Sequence, residues 1–184
     1  GDKIYVNPGN PGDVLAEARE TIEDFEGPSN TNYDVKAIAF KTGSWIVDGG
    51  ITATSAADLK TGAQSIRLQG TTTNAKRKGI LAMDFDLQGV KNLRVSHGIY
   101  PAAAETSNVN PTTFDVQVSK DGGVTYTTLK RVQVDIKSTV LITDVVEVKA
   151  GKTENVRIRI VNSSTPFANN NMPRINLDDI VFEY

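Results

Sequence analysis

Apolar and polar residues alternate with a period of two over most of the chain from about residue 21 onward. In residues 64–69 (QSIRLQ), Ile66 and Leu68 face one way while Ser65 and Arg67 face the other. Residues 79–87 (GILAMDFDL) set Leu81, Met83, Phe85 and Leu87 on one face, with Asp84 and Asp86 opposite. Residues 113–119 (TFDVQVS) repeat the pattern with Phe114, Val116 and Val118, and residues 155–161 (NVRIRIV) with Val156, Ile158 and Ile160. Successive side chains of a strand point to opposite faces, so this period predicts half-buried strands and argues against helices. Residues 44–47, 92–100, 125–135 and 141–148 are expected as further strands. Roughly ten short strands without a long helical stretch predict an all-β fold, an antiparallel β-sandwich of jelly-roll type.

Two departures from the alternation carry information. The closing segment 174–184 (RINLDDIVFEY) is interrupted by the acids Asp178 and Asp179, although strand interiors normally use their positions for packing. Together with the early segment 22–27 (IEDFEG), it predicts that the first and last strands meet and gather carboxylates at one point. The second departure is residues 1–13, which hold three Gly, two Pro and two Asn, the composition of a tether. Asp13 is placed to cap a short helix through VLAEARE (14–20). About two turns are marginal alone, so that helix has to dock. The expected organisation is a tether over residues 1–20 and one sandwich domain over 21–184. Within it, Asp121-Gly122-Gly123 predicts a hairpin turn, because glycine accepts positive φ and Asp can bond nearby backbone.

Composition removes whole classes of chemistry. The 184 residues suffice for one domain, and the net charge of −2 with mixed signs gives no basis for a nucleic-acid partner. Lys76, Arg77 and Lys78 read as a solvated loop. With no cysteine there are no disulfides, thiolate metal sites or cysteine nucleophiles, though export remains compatible with a core of this size. No run of about 20 apolar residues spans a membrane. The opening GDKIYVNPGNPGD carries no signal-peptide pattern and reads as a segment from which any export sequence has been removed.

Catalytic constellations are weak. The one histidine, His97, shares a face with Leu93 and Val95, which favours a packed core imidazole over a general base. Asp84 and Asp86 are neighbours on one strand face, whereas glycoside hydrolysis needs two carboxyls facing each other across a cleft about 5–10 Å wide. No GxSxG, P-loop or HExxH pattern is present, so the chain reads as a non-enzyme. A binding face is better represented. Trp45 is the single tryptophan, and Tyr100 ends a strand beside a Pro-Ala loop. Arg67, Arg94, Arg157 and Arg159 lie opposite the apolar faces, in company with Asp115 and Gln117. Sugars are bound by aromatic stacking and planar polar groups, which makes Trp45, Arg67, Arg94, Tyr100 and Arg159 the ligand candidates. The competing readings are Trp45 in the core and the arginines on an ordinary wet sheet face. Phe167, among the amides of residues 162–171, is either a rim contact or part of a plain connection.

The order DFEG, GSWIVDGG, TGAQSIRLQG, SKDGGVTYTTL, VRIRI and RINLDDIVF resembles the jelly-roll modules of secreted and surface proteins of the Bacteroidetes. It is similar also to galactose-binding-like and carbohydrate-binding sandwich domains, over about residues 21–184. Within it, Ser119, Asp121, Gly123 and Tyr126 resemble the Asp-box turn, a structural element. The resemblance implies a non-catalytic module that is extracellular or at the cell surface, secreted or carried by an outer-membrane lipoprotein. Its implied partner is a polysaccharide or glycan, with no membrane insertion of its own. It further implies a structural calcium between an early strand and the last one. Carried over, the ligands are Glu26 or Glu23 with Asp178 or Asp179, supplemented by carbonyls near residues 60–64, in keeping with the six to eight oxygens calcium takes. The rival reading from another class is a structural or adhesive domain that binds protein or acts as a spacer.

Overall fold

The computed structural model describes residues 3–6 and 14–184. In chain order the strands are β1 (Lys3–Val6), β2 (Val14–Ala18), β3 (Glu20–Glu23), β4 (Lys36–Phe40), β5 (Gly43–Asp48), β6 (Gly50–Ala53), β7 (Ser65–Leu68) and β8 (Ile80–Met83). They continue with β9 (Leu87–Gln88), β10 (Asn92–Ile99), β11 (Thr113–Ser119), β12 (Thr127–Gln133), β13 (Ile142–Glu147), β14 (Asn155–Asn162) and β15 (Ile175–Glu183). One short helix, α1 (Ala103–Thr106), sits between β10 and β11.

Two antiparallel sheets form a sandwich. The first has the order β13-β10-β15-β7-β6, with β3 also paired to β15; the second runs β12-β11-β14-β8-β5-β4, with β9 paired to β14. Their inner faces are the apolar faces read from the alternation. Ile66, Leu68, Leu81, Phe114, Ile158 and Ile160 are all fully buried in one continuous core. The first strand of the sandwich and the last do meet: β3 and β15 pair from Glu20 opposite Glu183 to Glu23 opposite Ile180. The hairpin after β11 is held locally, as Ser119 Oγ accepts from Gly123 N–H at 2.8 Å and Asp121 Oδ1 from Thr125 N–H at 2.9 Å.

The structure corrects two expectations and adds two strands. Residues 14–18, expected as helix, are strand β2, paired antiparallel with β1. A two-turn helix has little stability of its own, and a partner rich in Ile, Tyr and Val satisfies the same backbone groups as a ladder. Asp13 and the Pro-Gly stretch at 7–13 lie outside the described residues. Residues 79–87 are two strands, since the chain leaves the ladder at Asp84–Asp86 and resumes as β9 against β14. Finally, β4 and β6 escape the reading because they are short and partly built from Ala and Gly.

One connection shapes the surface. The segment between β6 and β7 crosses the outer face of the first sheet, where Leu59 N–H donates to Asn176 Oδ1 at 3.0 Å and Thr61 N–H to Asp178 Oδ2 at 2.6 Å. Gly98 on β10 admits it, because a Cβ there would strike the Leu59 side chain.

Candidate functional site

The outer face of the second sheet is open and has an ordered composition. Ladder registers place Ala37, Ile46, Ala82, Arg159, Gln117 and Thr128 side by side across six strands. All six are exposed or half-buried. One end of this row is apolar and flat. The other carries hydrogen-bonding groups: Arg159 Nε donates to Gln117 Oε1 at 2.7 Å, and Gln117 Nε2 to Thr128 Oγ1 at 3.1 Å. The Arg159 guanidinium lies over the Tyr126 ring at 3.8 Å from its centroid, a cation–π contact that fixes its plane. Its two terminal nitrogens have no protein partner among the described residues.

The flanking rows are charge-balanced. Arg157 donates from Nε to Asp86 at 2.7 Å and from Nη1 to Asp84 at 3.1 Å, so the neighbouring acids serve one arginine. Arg131 forks onto Asp115 at 2.7 and 3.0 Å, and that bond, against a smaller cost of burial, holds the Asp115 carboxyl below its ordinary value.

The five ligand candidates do not converge. Trp45 is a correction: it is fully buried on the inner face of β5, edge-on to Phe25 at 5.3 Å and Phe85 at 5.9 Å. Its indole N–H is spent on Thr42 Oγ1 at 3.0 Å, so it offers no stacking surface. Arg67 and Tyr100 come together on the first sheet, but as structure. Arg67 forks onto the buried Asp58 at 2.8 and 2.6 Å, and Arg67 and Arg174 both lie against the Tyr100 ring, at 4.2 and 4.5 Å. Burial alone would raise the Asp58 carboxyl, and the bonds from Arg67 and Asn176 outweigh it and hold the group low. Arg94 sits elsewhere on that sheet, paired with Glu183 and Glu20. Arg159 alone among the five stands on the open face. Residues 117, 126 and 128, which complete its surroundings, need the β11–β12 register to be grouped with it. His97 is a buried core group whose Nε2 meets Asp144 Oδ2 at 2.7 Å.

The acidic cluster is real in part. At β15 the register with β10 slips by one residue, leaving Asp179 as a bulge at φ 39°. The bulge turns Asp178 toward the crossing segment, where it also accepts from Asp179 N–H at 2.8 Å. Glu26 reaches the same segment, with Oε1 accepting from Ala63 and Gln64 N–H at 2.9 and 3.1 Å. Gly62 makes room for it, at φ +74° with the Glu26 carboxylate against its Cα hydrogen side. Burial, aided by the charges of Asp179 and Glu26, pushes the Asp178 carboxyl up to about 7 despite its two N–H donors. Glu23 is not part of this cluster; it turns inward to cap Phe25 N–H at 2.8 Å and Thr42 N–H at 3.0 Å. No three acidic or histidine side chains group as metal ligands among the described residues.

No family model matches the sequence, and no curated protein matches it. Solved structures do. The chain is similar to a family 61 carbohydrate-binding module solved with β-1,4-galactotriose, at 11% identity and a TM-score of 0.51, covering 88% of this chain and 94% of that one. It is similar also to the CBM22-1 xylan-binding domain of Paenibacillus barcinonensis Xyn10C, at 12% identity and a TM-score of 0.52, with 89% and 92% covered. The fold is the jelly-roll sandwich of carbohydrate-binding modules. The same jelly roll serves the K1 cleaved adhesin domain of Lys-gingipain from Porphyromonas gingivalis W83, at 14% identity and a TM-score of 0.52, with 89% and 97% covered.

Proposed function

We propose that this protein is a non-catalytic, extracellular or cell-surface module that binds a glycan across the outer face of its second sheet. The observation that carries the proposal is Arg159, held flat by Tyr126 and Gln117, with its terminal N–H groups unspent among the described residues and set beside a strip of Ala and Ile. Planar donors meet vicinal hydroxyls, and small aliphatic side chains accept the C–H face of a sugar ring. The paired acids nearby are each engaged by Arg157, an arrangement suited to binding and unsuited to proton transfer. Fold likeness to glycan-binding modules agrees with this reading.

A screen of the intact protein on a glycan array, beside Arg159→Ala, tests it. Binding by the parent protein that falls at least tenfold in the variant, with melting unchanged, is the expected result. An array that stays silent for the parent, or a variant that binds undiminished, removes the sheet face as a glycan site and favours the adhesive reading.

The proposal includes a calcium ion held by Glu26 and Asp178. The fit is one of charge, because a carboxyl that burial keeps protonated is one a cation could hold ionised instead. The remaining ligands would be carbonyls of the crossing segment. Glu26 Oε2 has no protein partner among the described residues and is the oxygen best placed to bind.

A further inference from the structure

A concavity lies where the chain enters β11 and leaves β12, and none of the residues of the Arg159 row lines it. Residues 108–112, which lead into β11, and residues 133–136, which follow β12, enclose a cleft of about 460 Å³. Its walls are tied together: Val134 N–H donates to the Thr112 carbonyl at 2.8 Å, and Lys137 Nζ to the Thr106 carbonyl at 2.7 Å. These bonds pin the two connecting segments to each other beside the start of β11 and the end of β12. A volume of this size suits a small ligand.

The chemistry of the lining is specific. Among the described residues, three buried side-chain atoms have no protein partner, and two of them, Asn108 Nδ2 and Thr112 Oγ1, belong to residues that line this cleft. Thr112 is 1% exposed. Buried polar groups are nearly always bonded, so two orphans in one wall mark a place where an outside group completes them. Asn108 has already given its carbonyl oxygen to Asn110 N–H at 3.1 Å, leaving a donor to offer. Asn110 and Gln133 add amides, while Val109 (94% exposed), Pro111 and Ile136 add apolar surface. No cation lines the cleft and its single acid, Asp135, is engaged by Lys137 N–H at 2.8 Å. With no cation on the lining, its amides, hydroxyl and apolar side chains match the two faces of a neutral polyhydroxyl compound better than they match an anion.

We infer that this cleft is a second ligand site that takes one terminal sugar residue, with Asn108 Nδ2 and Thr112 Oγ1 bonding its hydroxyls. The inference rests on the carbohydrate reading but uses none of the residues of the sheet face.

The test is two-dimensional amide NMR of the nitrogen-15-labelled protein titrated with the methyl glycosides of xylose, galactose and glucose. Shifts confined to residues 108–112 and 133–136, including the side-chain amides of Asn108, Asn110 and Gln133, are expected with at least one of them. Thr112→Val, an isosteric change that deletes an unbonded hydroxyl, should leave the melting temperature unchanged or higher and weaken the glycoside several-fold. Asn108→Ala combined with it should weaken binding about tenfold or more. Arg159→Ala should leave these shifts intact. Silence of the cleft signals with all three glycosides overturns the inference, as do parent-like shifts in the Thr112→Val variant or a lowered melting temperature for it. Loss of array binding in Arg159→Ala alongside a silent cleft removes this site and keeps the sheet face; a responding cleft with a silent array does the reverse.

Discussion

Asp178 ties the stability of the fold to pH. Its carboxyl stands at about 7 in the folded protein against an ordinary value of 3.8, so the folded state holds this proton more tightly than the unfolded chain does. The group's contribution to stability is fully present below about 4 and is lost as pH rises through about 7. In chelator, the melting temperature should therefore decline from pH 5 to pH 8, and Asp178→Asn should flatten the decline. A calcium ion bound as proposed would compete with that proton, so its stabilising effect should grow over that interval. Scanning calorimetry with and without calcium reads both effects, and identical traces at every pH would remove the metal. The acids were visible in RINLDDIVFEY, but the bulge that aims Asp178 was not, because it depends on the register with β10. Trp45 failed as a ligand for a related reason. In GSWIVDGG the alternation gives two faces, and only the tertiary pairing decides which is inside.

At the scale of the element, the segment crossing the first sheet is held by a buried pair. Asp58 is shielded from water, its Arg67 partner nearly so, and Asn176 Nδ2 adds a bond to Asp58 at 2.9 Å. Removing one member leaves an uncompensated charge, a loss of roughly 3–5 kcal/mol for a buried pair. Asp58→Ala is therefore expected to lower stability by about 3 kcal/mol in urea denaturation. A loss below about 1 kcal/mol would place the pair among weak surface bridges and deny it the role of fastening the segment. Strands β7, β10, β11, β14 and β15 were legible because period two needs only local information. What arginine 67 does with its charge was not, since Asn176 lies far along the chain from Asp58 and no local pattern links them. The β2 segment misled in the opposite direction, as Ala and Glu favour helix until a partner strand is present.

The whole molecule has one reporter of its own integrity. The single tryptophan is in the core, packed among Phe25 and Phe85 and sealed from solvent. Trp45 emission should be blue-shifted in the native protein and move red in one step with cooperative unfolding. It should not respond to a sugar on the opposite face of β5. A ligand-dependent shift before any unfolding would place the ligand inside the sandwich or show that binding loosens the core. The class of fold was readable from strand number and spacing, and the ligand face was not, because both sheets have polar outer faces with arginines on them.

The pairing of β3 with β15 has a consequence for attachment. Glu20 stands opposite Glu183, and Tyr184 N–H donates to the Arg19 carbonyl at 3.1 Å, so the polypeptide enters and leaves the sandwich at a single spot. That spot belongs to the first sheet, whereas the Arg159 strip lies on the second. Any chain joined to either side would hold the domain like a pendant by its first sheet, with the proposed binding face on the other one. Splicing residue 184 to residue 19, in place of residues 1–18, and reopening the chain at the 122–124 turn would keep every pairing of the two large sheets, making this sandwich a ready subject for circular permutation.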